Sequence, residues 1–230
     1  MGTVTILPET TKDPISLIGR RAGICYGTDI SDPIKNYKRG MDCIKKGHGR
    51  TMDFPEVHMH IKGYSAKVIR EYYTHIGCLP ARLQESTRYI NYAKDGFEYI
   101  TPHTVERNKE AKAKWDWLMD VINSTIVDLN KNYNIPIEDA SETLPLCMET
   151  GMVDKRDLRN LVDMSRNREC NRAYWEFREL FRDIKNALSD YSEEWEILVS
   201  LLFYPKCKEL GYCSEKKPCP RNPKKDDGNK

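Results

Sequence analysis

The sequence predicts an α+β fold, on three observations. Segments of strand composition gather ahead of Pro102. Beyond Pro102, apolar residues recur at helical spacing. The chain has 230 residues, enough for one domain with a sizeable core, here placed over residues 1–220 with a polar tail at 221–230.

Taken in order, Thr3 to Leu7 has strand composition, and Ile15 to Cys25 reads as a short apolar helix. Asp32-Pro33 opens a second helix with proline at its first position, and Gly47 closes it, which leaves His48 on a loop. Val57 to Ile61 alternates as a strand does. Ser65 caps a helix from Ala66 to about Thr74. Leu83 to Tyr92 and Phe97 to Ile100, rich in aromatic and β-branched residues, complete the strands. Trp115, Leu118, Met119, Ile122, Ile126 and Leu129 then form a helical stripe, and Pro136 starts a short helix that ends before Pro145. Asp154 to Leu188 reads as helix with one break near Cys170, and its second half carries Phe177, Leu180, Phe181, Ile184 and Leu188 on one face. Trp195, Leu198, Val199, Leu202 and Phe203 mark the last amphipathic helix.

Bulk properties exclude several function classes. Net charge is +2, from 37 basic and 35 acidic residues, which argues for neither a nucleic acid nor a membrane surface as partner. No apolar run approaches the ~20 residues that span a bilayer. The first nine residues lack the basic and apolar regions of a signal peptide, so a cytoplasmic location is expected, with the eight cysteines mostly reduced.

The chemistry concentrates in a few stretches. Arg82 to Tyr89, Arg-Leu-Gln-Glu-Ser-Thr-Arg-Tyr, follows a turn-like Gly77-Cys78-Leu79-Pro80 and carries an amide, hydroxyls and two guanidiniums. Such a set reads phosphate, because arginine offers a planar fork of donors and serine adds a hydroxyl. On a strand, Gln84, Ser86 and Arg88 would share one face. Arg159 and Arg168 are nine apart, so at ~100° per residue they leave opposite faces of a straight helix, and one helix could serve two sites.

These stretches resemble, in order, the flavin-dependent thymidylate synthases, whose core reads Arg-His-Arg, a short spacer, then Ser-x-Arg-Tyr. Here Thr74-His75-Ile76 and Ser86-Thr87-Arg88-Tyr89 fill those slots. Lys46-Gly47-His48-Gly49 is similar to the family's Gly-His segment. Leu144-Pro145-Leu146 and Arg168 with Ala173-Tyr174-Trp175-Glu176-Phe177-Arg178 are similar to its later motifs. The resemblance spans roughly residues 13 to 205. It implies a mainly antiparallel sheet with long helices, and reductive methylation of dUMP with methylenetetrahydrofolate, FAD and NADPH in a homotetramer whose sites lie between subunits. It further implies nucleotide contacts from Arg70, Ser86, Arg88 and Arg168, with Arg168 acting on the uracil ring, and the shared strand face adds Gln84 to that set. His48, His75 and Arg159 would lie on the flavin side.

Several positions depart from the family pattern. Thr74 and Ile76 replace two arginines, although Arg82 in the longer spacer offers one charge back. Ser141 replaces an arginine ahead of Leu-Pro-Leu, and Asp157 an asparagine. These departures leave open another uridine nucleotide as substrate, or a flavin- or nucleotide-binding paralogue without turnover.

Cys207, Cys213 and Cys219 are evenly spaced, and Cys170 could join them around a structural zinc. The close pair usual in zinc sites is missing, so free thiols are the expectation and no metal is assigned. Cys78 and Cys147 lie near the site motifs without a histidine spaced to activate a nucleophile.

Overall fold

The computed structural model describes residues 2–77 and 79–221. Along the chain run β1 (Thr3–Ile6), α1 (Pro14–Cys25), α2 (Pro33–Lys45), a 3₁₀ turn (Gly49–Asp53), β2 (Glu56–Ser65) and α3 (Ala66–Tyr72). After these come β3 (Ala81–Gln84), α4 (Tyr92–Asp95), α5 (His103–Glu106), α6 (Lys109–Lys131) and α7 (Ile137–Ala140). The chain continues through β4 (Glu149–Asp157), α8 (Leu158–Arg168), α9 (Trp175–Tyr191), α10 (Glu193–Leu202) and α11 (Lys206–Leu210). The strands form one small antiparallel sheet in the order β1-β2-β4-β3, within an otherwise helix-rich chain, so the α+β class holds. Among the described residues, no helix is long and apolar enough to cross a membrane.

The chain forms two compact units. One comprises Gly2, residues 62–71 and 83–152. Its core gathers Tyr92, Ala93, Ile126, Ala140 and Met148 under α4, α6 and α7. The other comprises residues 3–61, 72–82 and 153–221. There α1 and α2 meet backbone to backbone: a Cβ on Gly19 would lie 1.7 Å from the Asn36 carbonyl oxygen, and one on Gly40 would lie 1.9 Å from that of Ile15. Helix α10 packs on α1, and α9 packs on α10 and β1; their Phe177, Leu180, Phe181, Ile184, Leu188, Trp195 and Leu198 are fully buried. That stripe is the one read from spacing.

Helix starts follow local chemistry. Asp32 accepts the amides of Ile34 and Lys35 at 2.9 and 3.2 Å, and the Ser65 hydroxyl accepts that of Val68 at 3.2 Å. Asp13 makes no such cap at α1. Instead the Glu194 carboxylate, reaching over from α10, takes the amides of Ile15 and Ser16 at 2.7 and 3.0 Å.

Four expectations are corrected. The strand expected over Leu83–Tyr92 stops at Gln84. There the Glu85 carboxylate accepts the Gly151 amide at 2.7 Å, and the Ser86 carbonyl collects the amides of Tyr89 and Ile90, curling the chain into a turn. Phe97–Ile100 makes only an isolated antiparallel bridge, Tyr99 to Met148, because Gly96 at φ 71° and Pro102 bound it closely. The helix expected from Asp154 starts at Leu158, since Glu149–Asp157 is strand β4. Finally, α11 follows the helix taken as the last. The tail read at 221–230 lies, beyond Arg221, outside the described residues, as does Cys78.

Candidate active site

Helix α8 is the organising element. Asp157 caps it by accepting the Asn160 amide at 2.8 Å, and Arg168 ends it. Arg168 Nε donates to His75 Nε2 at 2.9 Å, and its guanidinium lies 4.3 Å over the Phe177 ring. His75 meets the same ring edge-on, with centroids 5.8 Å apart at 69°. Burial, and then the guanidiniums of Arg168 and Arg156, lower the imidazole to about 4. His75 is therefore neutral near pH 7, with Nδ1 carrying the proton so that Nε2 can accept.

Below this pair lies a buried charge cluster that spacing alone did not reveal. Arg156 and Asp154 pair in a bidentate fork, Nε to Oδ2 at 2.6 Å and Nη2 to Oδ1 at 2.7 Å, with both side chains fully buried. Tyr72 donates to Asp154 Oδ2 at 2.9 Å. Burial pushes that phenol well above its ordinary value, so it keeps its proton. Arg156 lies 4.2 Å over the Tyr72 ring, and Tyr72 stacks on Phe177 with centroids 5.9 Å apart at 22°. Two guanidiniums thus cap the two ends of one aromatic stack. Asn160 accepts from Arg156 and donates to the Gly77 carbonyl at 2.8 Å, which ties the loop carrying His75 to α8. The only hint in the sequence was apolar composition thinning between Asp154 and Asp157, a pattern that also fits an exposed helix.

Arg159 leaves α8 toward different neighbours. It reaches Asp53 at 3.4 Å, and its guanidinium carbon is 4.0 Å from where a Gly49 side chain would begin. His48 precedes that 3₁₀ turn, and its carbonyl accepts the Thr51 amide and hydroxyl at 3.0 and 2.7 Å. Gly47 at φ 71° swings the chain out of α2, leaving His48 exposed at a cavity of about 380 Å³ shared with Ala22, Cys25, Tyr26 and Cys43. So the two arginines of α8 do serve different surroundings.

The phosphate-type set belongs to the other unit. Gln84 Nε2 donates to Thr150 Oγ1 at 3.3 Å from the end of β3. Ser86 and Arg88 stand on the following turn, so the shared strand face expected for Gln84, Ser86 and Arg88 is not formed. The Arg88 amide instead donates to Ser86 Oγ at 3.3 Å, and its Nε reaches Glu138 Oε2 at 2.8 Å in the open. Arg70 is exposed on α3. Ser141 is buried with its hydroxyl unpartnered where the motif carries an arginine. In the unit of His75, Thr74 and Ile76 are exposed, and Arg82 folds back on Tyr73, donating to its carbonyl at 2.9 Å and lying 4.2 Å over its ring. That charge is engaged rather than offered in place of a missing arginine.

Cys170, Cys207, Cys213 and Cys219 line one cavity of about 330 Å³ beside Arg168. None of the four is joined in a disulfide. Among the described residues, no three His, Cys, Asp or Glu side chains are drawn together as a ready metal cage.

Comparison with known proteins gives these motifs a common source. The family model described as "Thymidylate synthase complementing protein" matches residues 6–191. The flavin-dependent thymidylate synthase of Nitratidesulfovibrio vulgaris is 26% identical over 226 residues, covering 89% of this chain and 88% of that protein. That of Clostridium tetani is 25% identical over 240 residues, covering 94% and 92%. The crystal structure of thymidylate synthase X from Helicobacter pylori with FAD and dUMP shares the fold, with a TM-score of 0.63 at 17% identity over 88% of this chain and 99% of that one. With a family model matched from β1 into the end of α9, the chain belongs to the thymidylate synthase complementing protein family, the flavin-dependent thymidylate synthases.

Proposed function

We propose that the chain catalyses reductive methylation of dUMP to dTMP, with methylenetetrahydrofolate as carbon donor, FAD as mediator and NADPH as reductant. Residues 1–220 would work as one domain within a cytoplasmic homotetramer that has its sites between subunits. The reading rests above all on the Arg168–His75 pair, seated on Phe177 within a chain of this family. A guanidinium held on two sides is preorganised. Placed beside uracil O2 and N1, it stabilises negative charge as C5 becomes nucleophilic.

The residues fit a flavin in kind. His48 opens on a cavity walled by Ala22, Cys25 and Cys43, suited to a flat and largely apolar group. Arg159, which meets Asp53 at 3.4 Å and has its side chain partly open to solvent, would add a guanidinium for phosphate. When bound, FAD supplies the redox chemistry that no side chain here can perform. His75, uncharged, orients Arg168 and adds no repulsion beside it. Ser86 and Arg88 hold the nucleotide phosphate, with Gln84 and Arg70 assisting. Assembly is supported by Trp117, Leu118 and Val121, which leave an apolar strip exposed along α6 that a second copy would cover.

The test is an absorbance spectrum of the purified chain after FAD loading, then titration with dUMP, then turnover with methylenetetrahydrofolate and NADPH. Bound flavin, a dUMP-dependent spectral change and dTMP formation are expected. A response to a different uridine nucleotide alone would move the substrate, and flavin binding without turnover would make the chain a binding protein.

A further inference from the structure

The last described segment is built around cysteines. From Lys206 to Arg221 only Cys207, Tyr212, Cys213 and Cys219 turn away from solvent, so three of the four inward residues are thiols. The segment has a five-residue helix, a left-handed Gly211 at φ 73°, and no strand beyond a single bridge residue. Apolar burial on that scale does not order a chain by itself, and small units of this kind need a staple. The segment is nevertheless placed. Arg172 donates to the Lys217 carbonyl at 2.7 Å. Arg221 reaches the Glu169 carbonyl and Asn171 Oδ1, each at 2.9 Å. Asn171 Nδ2 points at Cys219 Sγ at 3.6 Å. These contacts bring the loop after α8, with Cys170, to the cavity that the three later cysteines line.

We propose that Cys170, Cys207, Cys213 and Cys219 form a tetrathiolate site for a soft divalent cation, zinc foremost, which clasps residues 206–221 to the loop behind Arg168. Binding displaces four thiol protons to solvent and leaves a centre of net charge −2. The surroundings match that charge. Among the described residues, Arg166, Arg168, Arg172, Lys206 and Arg221 line the cavity, with Glu215 as its one carboxylate. Arg166 pairs with Glu209 at 3.3 Å and Arg172 with Glu215 at 3.8 Å, and a tetrathiolate centre would add its negative charge to a lining in which cations still predominate. An amide donor to sulfur, as Asn171 provides, is a usual outer partner of such a centre. The sulfurs are not yet gathered to the ~2.3 Å metal–sulfur distance, and structural zinc sites commonly close only as the ion binds. Cys170 lies two residues past Arg168, so the clasp would fix the end of α8 from which that side chain projects.

The experiment uses the full chain, loaded with zinc, dialysed and analysed for metal, with X-ray absorption to count ligands and cobalt substitution to report geometry. About one zinc per chain with an all-sulfur shell, and a tetrahedral thiolate spectrum with cobalt, is expected. Cys213→Ser and Cys219→Ser should lose the metal, and Cys147→Ser should keep it. A wild-type chain that stays metal-free, peptide mapping that finds disulfides among the four, or a shell poor in sulfur would each overturn the site. Ligand counting on the wild type does not depend on the variants folding, and none of these readouts requires flavin or turnover.

Discussion

Arg168 Nε donates to His75 Nε2 at 2.9 Å, so an arginine at the end of α8 is aimed by a histidine that must be uncharged to accept. The pairing makes proton uptake at His75 a structural event. Protonation removes the acceptor and sets an imidazolium beside a guanidinium.

A pH dependence follows. The His75 imidazole is lowered from 6.5 to about 4 by burial and by its two arginine neighbours. Between those values the unfolded chain binds the proton and the folded chain does not, so stability rises with pH. The contribution of His75 is thus fully present above about pH 6.5 and is lost as pH falls toward 4. His75→Gln, which keeps an acceptor but does not titrate, should flatten that part of the profile in urea unfolding. Equal slopes in both proteins would show that other groups govern acid stability.

For Arg168 the expected effect is kinetic. If it steadies charge on uracil, its benefit appears as the transition state forms, so Arg168→Ala should slow methyl transfer by on the order of 10²–10³. Flavin reduction by NADPH should change much less. Lysine should rescue poorly, because an ammonium can neither lie flat on Phe177 nor present the planar fork. Stopped-flow of the two half-reactions separates them, and equal slowing of both would make Arg168 structural.

How far these features were legible depends on what each residue touches. The α9 stripe was readable because Phe177, Leu180, Phe181, Ile184 and Leu188 all face one core. Strand β4 was not, because Asp154 and Arg156 look like surface residues until each is seen to be the other's partner. The motif residues were found by resemblance, yet their geometry was misjudged at Ser86 and Arg88. There a single side chain, Glu85, ends the ladder and turns the strand. Phe177 was read as core, and it is, but the structure adds that Arg168 and His75 rest on it. No periodicity records a cation over a ring.

Arg88 meets Glu138 at 2.8 Å with both side chains largely exposed. Such a pair contributes ~0–1 kcal/mol, so Arg88→Ala should leave the melting temperature almost unchanged. Its cost should fall on dUMP affinity, by a few kcal/mol if the guanidinium grips the phosphate. Glu138 would then compete with that phosphate, and Glu138→Gln should tighten dUMP while sparing FAD. Calorimetric titration of both variants decides the matter, and unchanged dUMP affinity in Arg88→Ala would remove the residue from the site.

The buried Asp154–Arg156 pair invites a double-mutant cycle. Both side chains are fully buried, so removing either leaves an uncompensated charge, at a cost of ~3–5 kcal/mol. Arg156→Met should therefore destabilise strongly, and Asp154→Asn should do the same from the other side. The double variant should recover part of the loss, because the burden in each single change is the stranded partner and not the missing bond alone. Tyr72 sharpens the expectation. It donates to Asp154 and stacks between Arg156 and Phe177, so Arg156→Met loosens the stack on which Arg168 lies. Disturbance should then reach the site: the double variant, even where folded, should show slower methyl transfer than wild type with flavin reduction less affected. Chemical denaturation gives the coupling energy, and the half-reaction rates give the link to Arg168. Simple additivity of the two single variants would mean that the pair does not act as a unit. A folded double variant with wild-type methyl transfer would mean that the stack does not position Arg168.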